Sequence, residues 1–230
     1  PGGIQTGAIS LDNPVSQAEP SQSEPSLAEA SDAAVRAEQQ AREKRSLDEL
    51  QQALEEELGK QDSAFVKLRD QIIIDQTALG LRIQLVDKDN RPMFDRGESR
   101  LQGYAREVLH ALAPRLDVVA NRLSINGHTD SVSYRDGSDY SNWELSADRA
   151  NSARRALIEG GYPEDKIFTV QGMGASVPLI TNDPAAASNR RIVILVLRRE
   201  VEDALKGVTL VSRTQSEFLE QTEPVAPQAE

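Results

Sequence analysis

The sequence predicts an α/β domain in which helices pack on a mixed sheet, between flexible polar flanks. Three observations point there. Segments of period-two and helical apolar spacing alternate along the middle of the chain, as a βαβαβ core with a closing strand requires. Aromatic residues are crowded into the same region, none preceding Phe65 and only Phe218 following Phe168. The flanks are rich in Pro, Ser, Gln and Glu and hold too little apolar surface to offset the entropy of ordering.

In chain order, residues 1–30 read as linker. Within that flank, Ser46 and Glu49 have capping-box spacing, Leu47, Leu50, Leu54 and Leu58 follow at helical steps, and Gly59 stands where a C-cap belongs. A helix over 46–58 is therefore expected in a linker spanning 1–60. Its single seam of leucines could pair with a second copy, lie on the domain, or stay solvated. A domain over 61–206 begins with a strand, in which Leu81, Ile83 and Leu85 alternate with Arg82, Gln84 and Val86 before turn-prone Asp87, Asp89 and Asn90. A helix through Leu101, Tyr104, Ala105, Val108, Leu109 and Leu112 is expected to stop at Pro114. The second strand carries Leu123 and Ile125 and breaks at Gly127. Ser141 and Glu144 form another capping box, opening a helix whose inner face is Ala147, Ala150, Ala153 and Leu157 and which ends at Gly160 and Gly161. Strand three is Ile167 to Val170, before a Gly172–Gly174 turn, and the nearly all-apolar run from Ile192 to Leu197 suits a strand in mid-sheet. Residues 207–230 read as a disordered tail.

The net charge of −11 belongs to the flanks. Residues 1–60 hold 12 acidic and 5 basic side chains and residues 200–230 hold 7 and 2, which leaves the middle at +1. Nothing in that balance favours a nucleic-acid partner. Without cysteine, disulfides, thiolate metal sites and a Cys nucleophile are excluded. No apolar run approaches the roughly 18–20 residues of a membrane span. The chain, which starts at Pro1, reads as a fragment or a processed product.

A βαβ crossover sets the loop after its first strand beside the start of its helix, the edge where open α/β sheets bind ligands. Here that loop is Gly127-His128-Thr129-Asp130. Asn142, Leu145 and Arg149 share one stripe of the following helix, and helical side chains lean toward the N-terminus, so Arg149 should point back at the loop. An acid and a base facing one shallow notch suit a zwitterion, with Asp130 taking an ammonium and Arg149 a carboxylate. Thr129 and Asn142 could add neutral hydrogen bonds. An Asp and an Arg so placed could equally form a structural salt bridge.

These residues also resemble the OmpA-like peptidoglycan-binding family. The likeness is carried by Asn126-Gly127-His128-Thr129-Asp130, Asn142 with Leu145-Ser146 and Arg149-Ala150, Gly172-Met173-Gly174 with Pro178, and Asn189-Arg190-Arg191, in order over roughly residues 80 to 198. The resemblance implies a two-layer OmpA-like sandwich that holds the diaminopimelate of cell-wall stem peptides without catalysis, cofactor or metal. It implies Asp130 for the ammonium, Arg149 for a carboxylate and Thr129, Asn142 and Leu145 beside them. Arg190 could join these contacts or close a salt bridge, as could Arg191. Asn90 to Phe94 and Tyr140 to Ala150 are most similar to the members that anchor flagellar motor stators. That implies a homodimer, a stator subunit of the MotA type and the basal-body ring as partners, and the periplasmic region of a single-span inner-membrane protein. The span, a proton-carrying Asp and a plug would precede Pro1. Another envelope-anchoring protein of the family is the nearest alternative. The loop from Ser131 to Asp139, with Tyr134, Arg135 and Asp136, is longer than in many members and could alter access.

Other candidates have plainer expectations. His128 should fix its loop by a hydrogen bond, His110 has no carboxylate pattern near it, and Trp143 should be a packing anchor. Asp130 and Glu144 as the acid pair of a glycan hydrolase are disfavoured by the capping role of Glu144. A self-associating structural domain would instead use the leucine stripe and the last strand.

Overall fold

The computed structural model describes residues 27–61, 65, 66, 68–95, 97–134 and 139–207. Residues 1–26 of the linker expected over 1–60 and residues 208–230 of the tail expected over 207–230 lie outside the described residues, as do Arg135 and Asp136. The described residues fall into two units, divided between Gln40 and Ala41. Helix α1 is Leu27–Gly59. Then come β1 (Ile72–Thr77), β2 (Gly80–Val86), α2 (Gly103–Leu116), β3 (Leu123–His128), α3 (Asn142–Glu159), β4 (Ile167–Gly172) and β5 (Arg191–Leu197), and residues 199–207 are helical.

The sheet has five strands in the order β1-β2-β5-β3-β4, antiparallel except for the parallel pair β3 and β4. The mixed α/β class expected from the sequence is present. The closing strand β5 is central and buried along its whole length. Its alternate residues Ile192, Ile194 and Val196 join Leu81, Ile83, Leu85, Leu123 and Ile125 on the core side, where α2 and α3 supply Val108, Leu109, Leu112, Ala150, Ala153 and Leu157.

Strand β1 was not expected. It pairs with β2 as a hairpin whose turn is Ala78-Leu79. Its signal was Ile72-Ile73-Ile74 followed by a two-residue turn, but Asp75 and Gln76 mask the alternation. Thr77 Oγ1 closes the turn, donating to Gly80 O at 2.8 Å and accepting from Leu79 N–H at 3.2 Å. Gly80 has φ +142, and a Cβ there would sit 1.9 Å from Val196 O, so only glycine fits.

Several boundaries also differ from expectation. Helix α1 begins at Leu27 rather than at Ser46, so the expected capping box of Ser46 and Glu49 lies inside the helix and caps nothing. Helix α2 passes through Pro114 to Leu116, because a proline in the last turn forfeits one hydrogen bond at a point where the helix is ending anyway. Gly127 lies inside β3 rather than ending it, for a packing reason given below.

Of the readings open for the leucine stripe, the structure has the one in which it lies on the domain. Leu47, Leu50 and Leu54 are buried in the main core. Around them Asn121 Nδ2 donates to Glu43 Oε1 at 2.6 Å, and Arg115 Nη2 lies 3.0 Å from Glu57 Oε1. The self-associating alternative loses both proposed surfaces, since the stripe is internal and β5 is hydrogen-bonded on both edges.

Candidate functional site

Because β5 lies between β2 and β3, three chain segments converge on one edge of the sheet: Asp87 leaving β2, Thr129 and Asp130 leaving β3, and Arg190 entering β5. The N-terminus of α3 is pressed onto this edge. A Cβ on Gly127 would sit 2.0 Å from Ser146 O, and one on Gly172 would sit 2.5 Å from Ala147 N, so helix backbone rests directly on strand backbone. Ser146, buried between them, donates from Oγ to Trp143 O and accepts the Gly174 N–H, each at 2.9 Å. The expected capping box of Ser141 and Glu144 is present at the start of the helix.

The loops are pinned from below. Asn189 is fully buried; its Oδ1 accepts Ile180 N–H at 2.7 Å, and its Nδ2 donates to Asp183 O at 2.9 Å and Pro184 O at 3.0 Å. Ser131 N–H is held by Pro184 O, and Thr129 N–H by Gly174 O, both at 2.9 Å. Asn142 Nδ2 donates to Val132 O at 2.9 Å and Asp130 O at 3.3 Å, so its amide clamps the loop that carries the acid.

All six residues singled out from the sequence, Thr129, Asp130, Asn142, Leu145, Arg149 and Arg190, line one cavity of about 600 Å³, within the usual size of a small-molecule site. It is recessed rather than shallow, because the segment from Asp87 to Gly97 forms a second wall. Sequence reasoning missed that wall, which contributes Asp87, Asp89, Phe94 and Asp95. The two aspartates after β2 were legible only as turn formers.

The acid and the base do not pair with each other. Asp130 Oδ2 accepts from Arg190 Nη1 at 2.8 Å and its Oδ1 from Val132 N–H at 3.2 Å. Arg190 also donates from Nε to Asp87 Oδ2 at 2.8 Å, and its Nη2 lies 3.6 Å from Asp89. Of the two readings open for Arg190, the structure has the salt bridge, in which it takes one oxygen of Asp130. Burial raises the Asp87 pKa, although Arg190 and the Met93 N–H, 2.6 Å from Oδ1, favour its ionised form. For Arg190, burial is outweighed by the bonds to Asp130 and Asp87, and its pKa is raised.

Arg149 is held differently. Its Nε donates to Glu98 O at 3.0 Å, and its guanidinium carbon lies 4.9 Å from the centroid of the Phe94 ring. Burial lowers its pKa, with the carboxylates of Asp87 and Asp130 pulling the other way; an arginine stays cationic regardless. Among the described residues no carboxylate forms an ion pair with it. The described lining holds four aspartates, 87, 89, 95 and 130, against two arginines, an excess of two negative charges. Such a site can take a cation near the aspartates and an anion at Arg149.

The remaining candidates are structural. Among the described residues His128 Nδ1 is buried without a partner, so they give no loop-fixing bond from that atom. His128 pairs across the β3–β5 ladder with Arg191, on the sheet face opposite Ile192 and Ile194. Arg191 donates to Asn189 O and Val177 O there and takes no part in the cavity. Trp143 is half exposed and lies over Gly174 instead of anchoring the core. Helix packing does bring Glu159 to 3.5 Å from His110 Nε2, which spacing along the sequence could not reveal. The Thr129 hydroxyl is buried and finds no partner among the described residues.

Residues 93–191 match the OmpA family. Over 174 residues the chain is 42% identical to motility protein B of Escherichia coli (strain K12), covering 75% of this chain and 56% of that protein. Motility protein B of Bacillus subtilis (strain 168) is 31% identical over 142 residues, 58% of this chain and 51% of that one. The chain thus spans about half the length of these relatives. In fold it is similar to the crystal structure of a MotB-like protein from Desulfovibrio vulgaris, with a TM-score of 0.54 at 23% identity, covering 68% of this chain and 99% of that one. The chain therefore carries an OmpA-family domain and is a homologue of motility protein B.

Proposed function

We propose that this domain binds peptidoglycan non-covalently and so anchors a flagellar motor stator to the cell wall. The observation that carries the reading is Arg149, a recessed cation without a carboxylate partner among the described residues, facing a cavity with an excess of two negative charges. The zwitterionic end of diaminopimelate matches this pattern, its carboxylate at Arg149 and its ammonium among Asp130 and the neighbouring aspartates. Asp130 can serve while paired, because an ionised carboxylate accepts about four hydrogen bonds and two are in use among the described residues. Thr129, Asn142 and Leu145 shape the cleft, and Arg190 sets the position of Asp130.

One such site binds modestly. Firm attachment follows if the protein works as a homodimer whose two sites share one polymer. The similarity to motility protein B supports a periplasmic location, outside an inner membrane that the whole protein crosses once, with a stator subunit of the MotA type and the basal-body ring as partners. Among the described residues no helix is long and apolar enough to cross a membrane. Polar chain ahead of the domain would act as an adjustable tether. Crosslinks that lock it should abolish motility, and unimpaired swimming would remove that role.

The hydrolase reading is weaker. Hydrogen bonds from Ser141 hold the Glu144 carboxylate below its usual range, the wrong direction for a general acid. Sedimentation with purified sacculi tests both readings. Wild-type chain should pellet with the wall and release no soluble fragments, while Asp130→Ala and Arg149→Ala should bind roughly tenfold or more weakly, the worth of one charge-assisted hydrogen bond. Folded variants that pellet as well as wild type would remove the proposal.

A further inference from the structure

A second cavity, of about 240 Å³, lies between α2 and α3, lined among others by Arg100, Arg106, Ser152, Arg155 and Glu159. Arg149, which lines the main cavity, holds Glu98 O, and the next residues, Ser99 to Leu101, line the second. Its charge is opposite: three arginines against one glutamate leave an excess of two positive charges. Glu159 is engaged by Arg106 at 3.2 Å, and Arg100 by Asp95 at 3.0 Å and Glu98 at 3.2 Å. Arg155 donates from Nη2 to Ser152 Oγ at 2.8 Å, and among the described residues no carboxylate forms an ion pair with it.

We infer that this second cavity is a carboxylate subsite for the same wall peptide, with Arg155 as its principal contact. The inference rests on the proposed function of the main cavity. Arg149 and Arg155 are six residues apart on one helix, about 9 Å along its axis and roughly 120° around it. A stem peptide that places diaminopimelate at Arg149 carries another carboxylate close by, on the γ-linked glutamate that precedes it. Two residues of extended chain reach about 7 Å, and the length of an arginine side chain closes the gap. Two cavities of opposite charge thus match a ligand with an ammonium at one end and carboxylates spread along its length. The α-carboxylate of that glutamate is free in some walls and amidated in others, so the subsite would discriminate between them.

Titration calorimetry of the full chain with two synthetic peptides tests this: L-Ala-γ-D-Glu-meso-diaminopimelate, and the same tripeptide with the glutamate α-carboxylate amidated. Wild type should bind the free acid roughly fivefold more tightly, the upper range for a solvent-exposed ion pair. Arg155→Gln should lose that preference while binding the amide as wild type does, and Arg155→Lys should keep part of it. Equal affinity of wild type for the two peptides, or an undiminished preference in Arg155→Gln, would overturn the subsite and leave the main site standing. If neither peptide binds, or if both bind undiminished to Arg149→Ala, the reading of the main cavity fails and the subsite falls with it.

Discussion

Arg190 joins two aspartates that lie far apart in the chain, Asp87 after β2 and Asp130 after β3, each at 2.8 Å. It limits how far either carboxylate can turn and leaves Arg149 as the cation open to a ligand. Part of this was legible in the sequence. Asp130 and Arg149 follow from a loop and a helix adjoining in one βαβ unit. The link from Arg190 to Asp87 depends on β2 lying beside β5, and no local pattern reports strand order. His128 makes a separate prediction at this scale. Burial first, and the nearby Arg191 second, hold its pKa down at about 4, against 6.5 ordinarily. The unfolded chain therefore takes up this proton at a higher pH than the folded one. The contribution is fully present above pH 6.5 and is lost as pH falls from there toward 4, by up to about 3 kcal/mol. Urea midpoints measured between pH 7 and pH 4.5 should fall more steeply in wild type than in His128→Gln. Parallel slopes would show that His128 is not held neutral.

Helix α3 controls the site through where its first turns rest. Its small inner residues were readable as a sign of close approach to a sheet, but the glycines that receive it, Gly127 and Gly172, looked like strand ends and turns. A glycine inside a strand can mark a break or a place where another backbone comes near, and sequence alone does not separate the two. Here contact distances decide. A methyl group at residue 127 would meet Ser146 O at 2.0 Å, backbone that cannot swing aside. Gly127→Ala should cost at least about 3 kcal/mol, at the upper end for overpacking. It should also weaken wall binding, because lifting α3 moves Arg149 away from Asp130. Chemical denaturation with sedimentation on sacculi reads both effects, and a variant as stable as wild type would mean that α3 does not sit so close.

Over the unit from Ala41 onward, the core does not begin where the expected domain over 61–206 begins. Leu47 and Leu54 are each only 1% exposed, and Leu50 is 5% exposed. The leucine spacing made this helix legible, although the capping-box spacing of Ser46 and Glu49 misplaced its start, and one seam of leucines looks the same whether its partner is a second copy, solvent or the domain itself. Only the core that receives it settles the matter, and that core is assembled from strands and helices far along the chain. Burying a leucine contributes roughly 1.5–3 kcal/mol, so three together approach the entire net stability of an ordinary domain, about 5–15 kcal/mol. Two truncations separate a linker helix from a structural one. A chain of residues 41–230 should melt within a few degrees of the full protein, because it keeps all three leucines and the Glu43 and Glu57 contacts. Residues 61–230 should unfold at a far lower temperature or fail to fold, exposing the apolar surface of α2 and of the β1–β2 hairpin. Equal melting of the two would return the helix to the linker, and with it the whole stretch to Lys60 as tether. If instead they differ as expected, the length left for the proposed tether ends near residue 40.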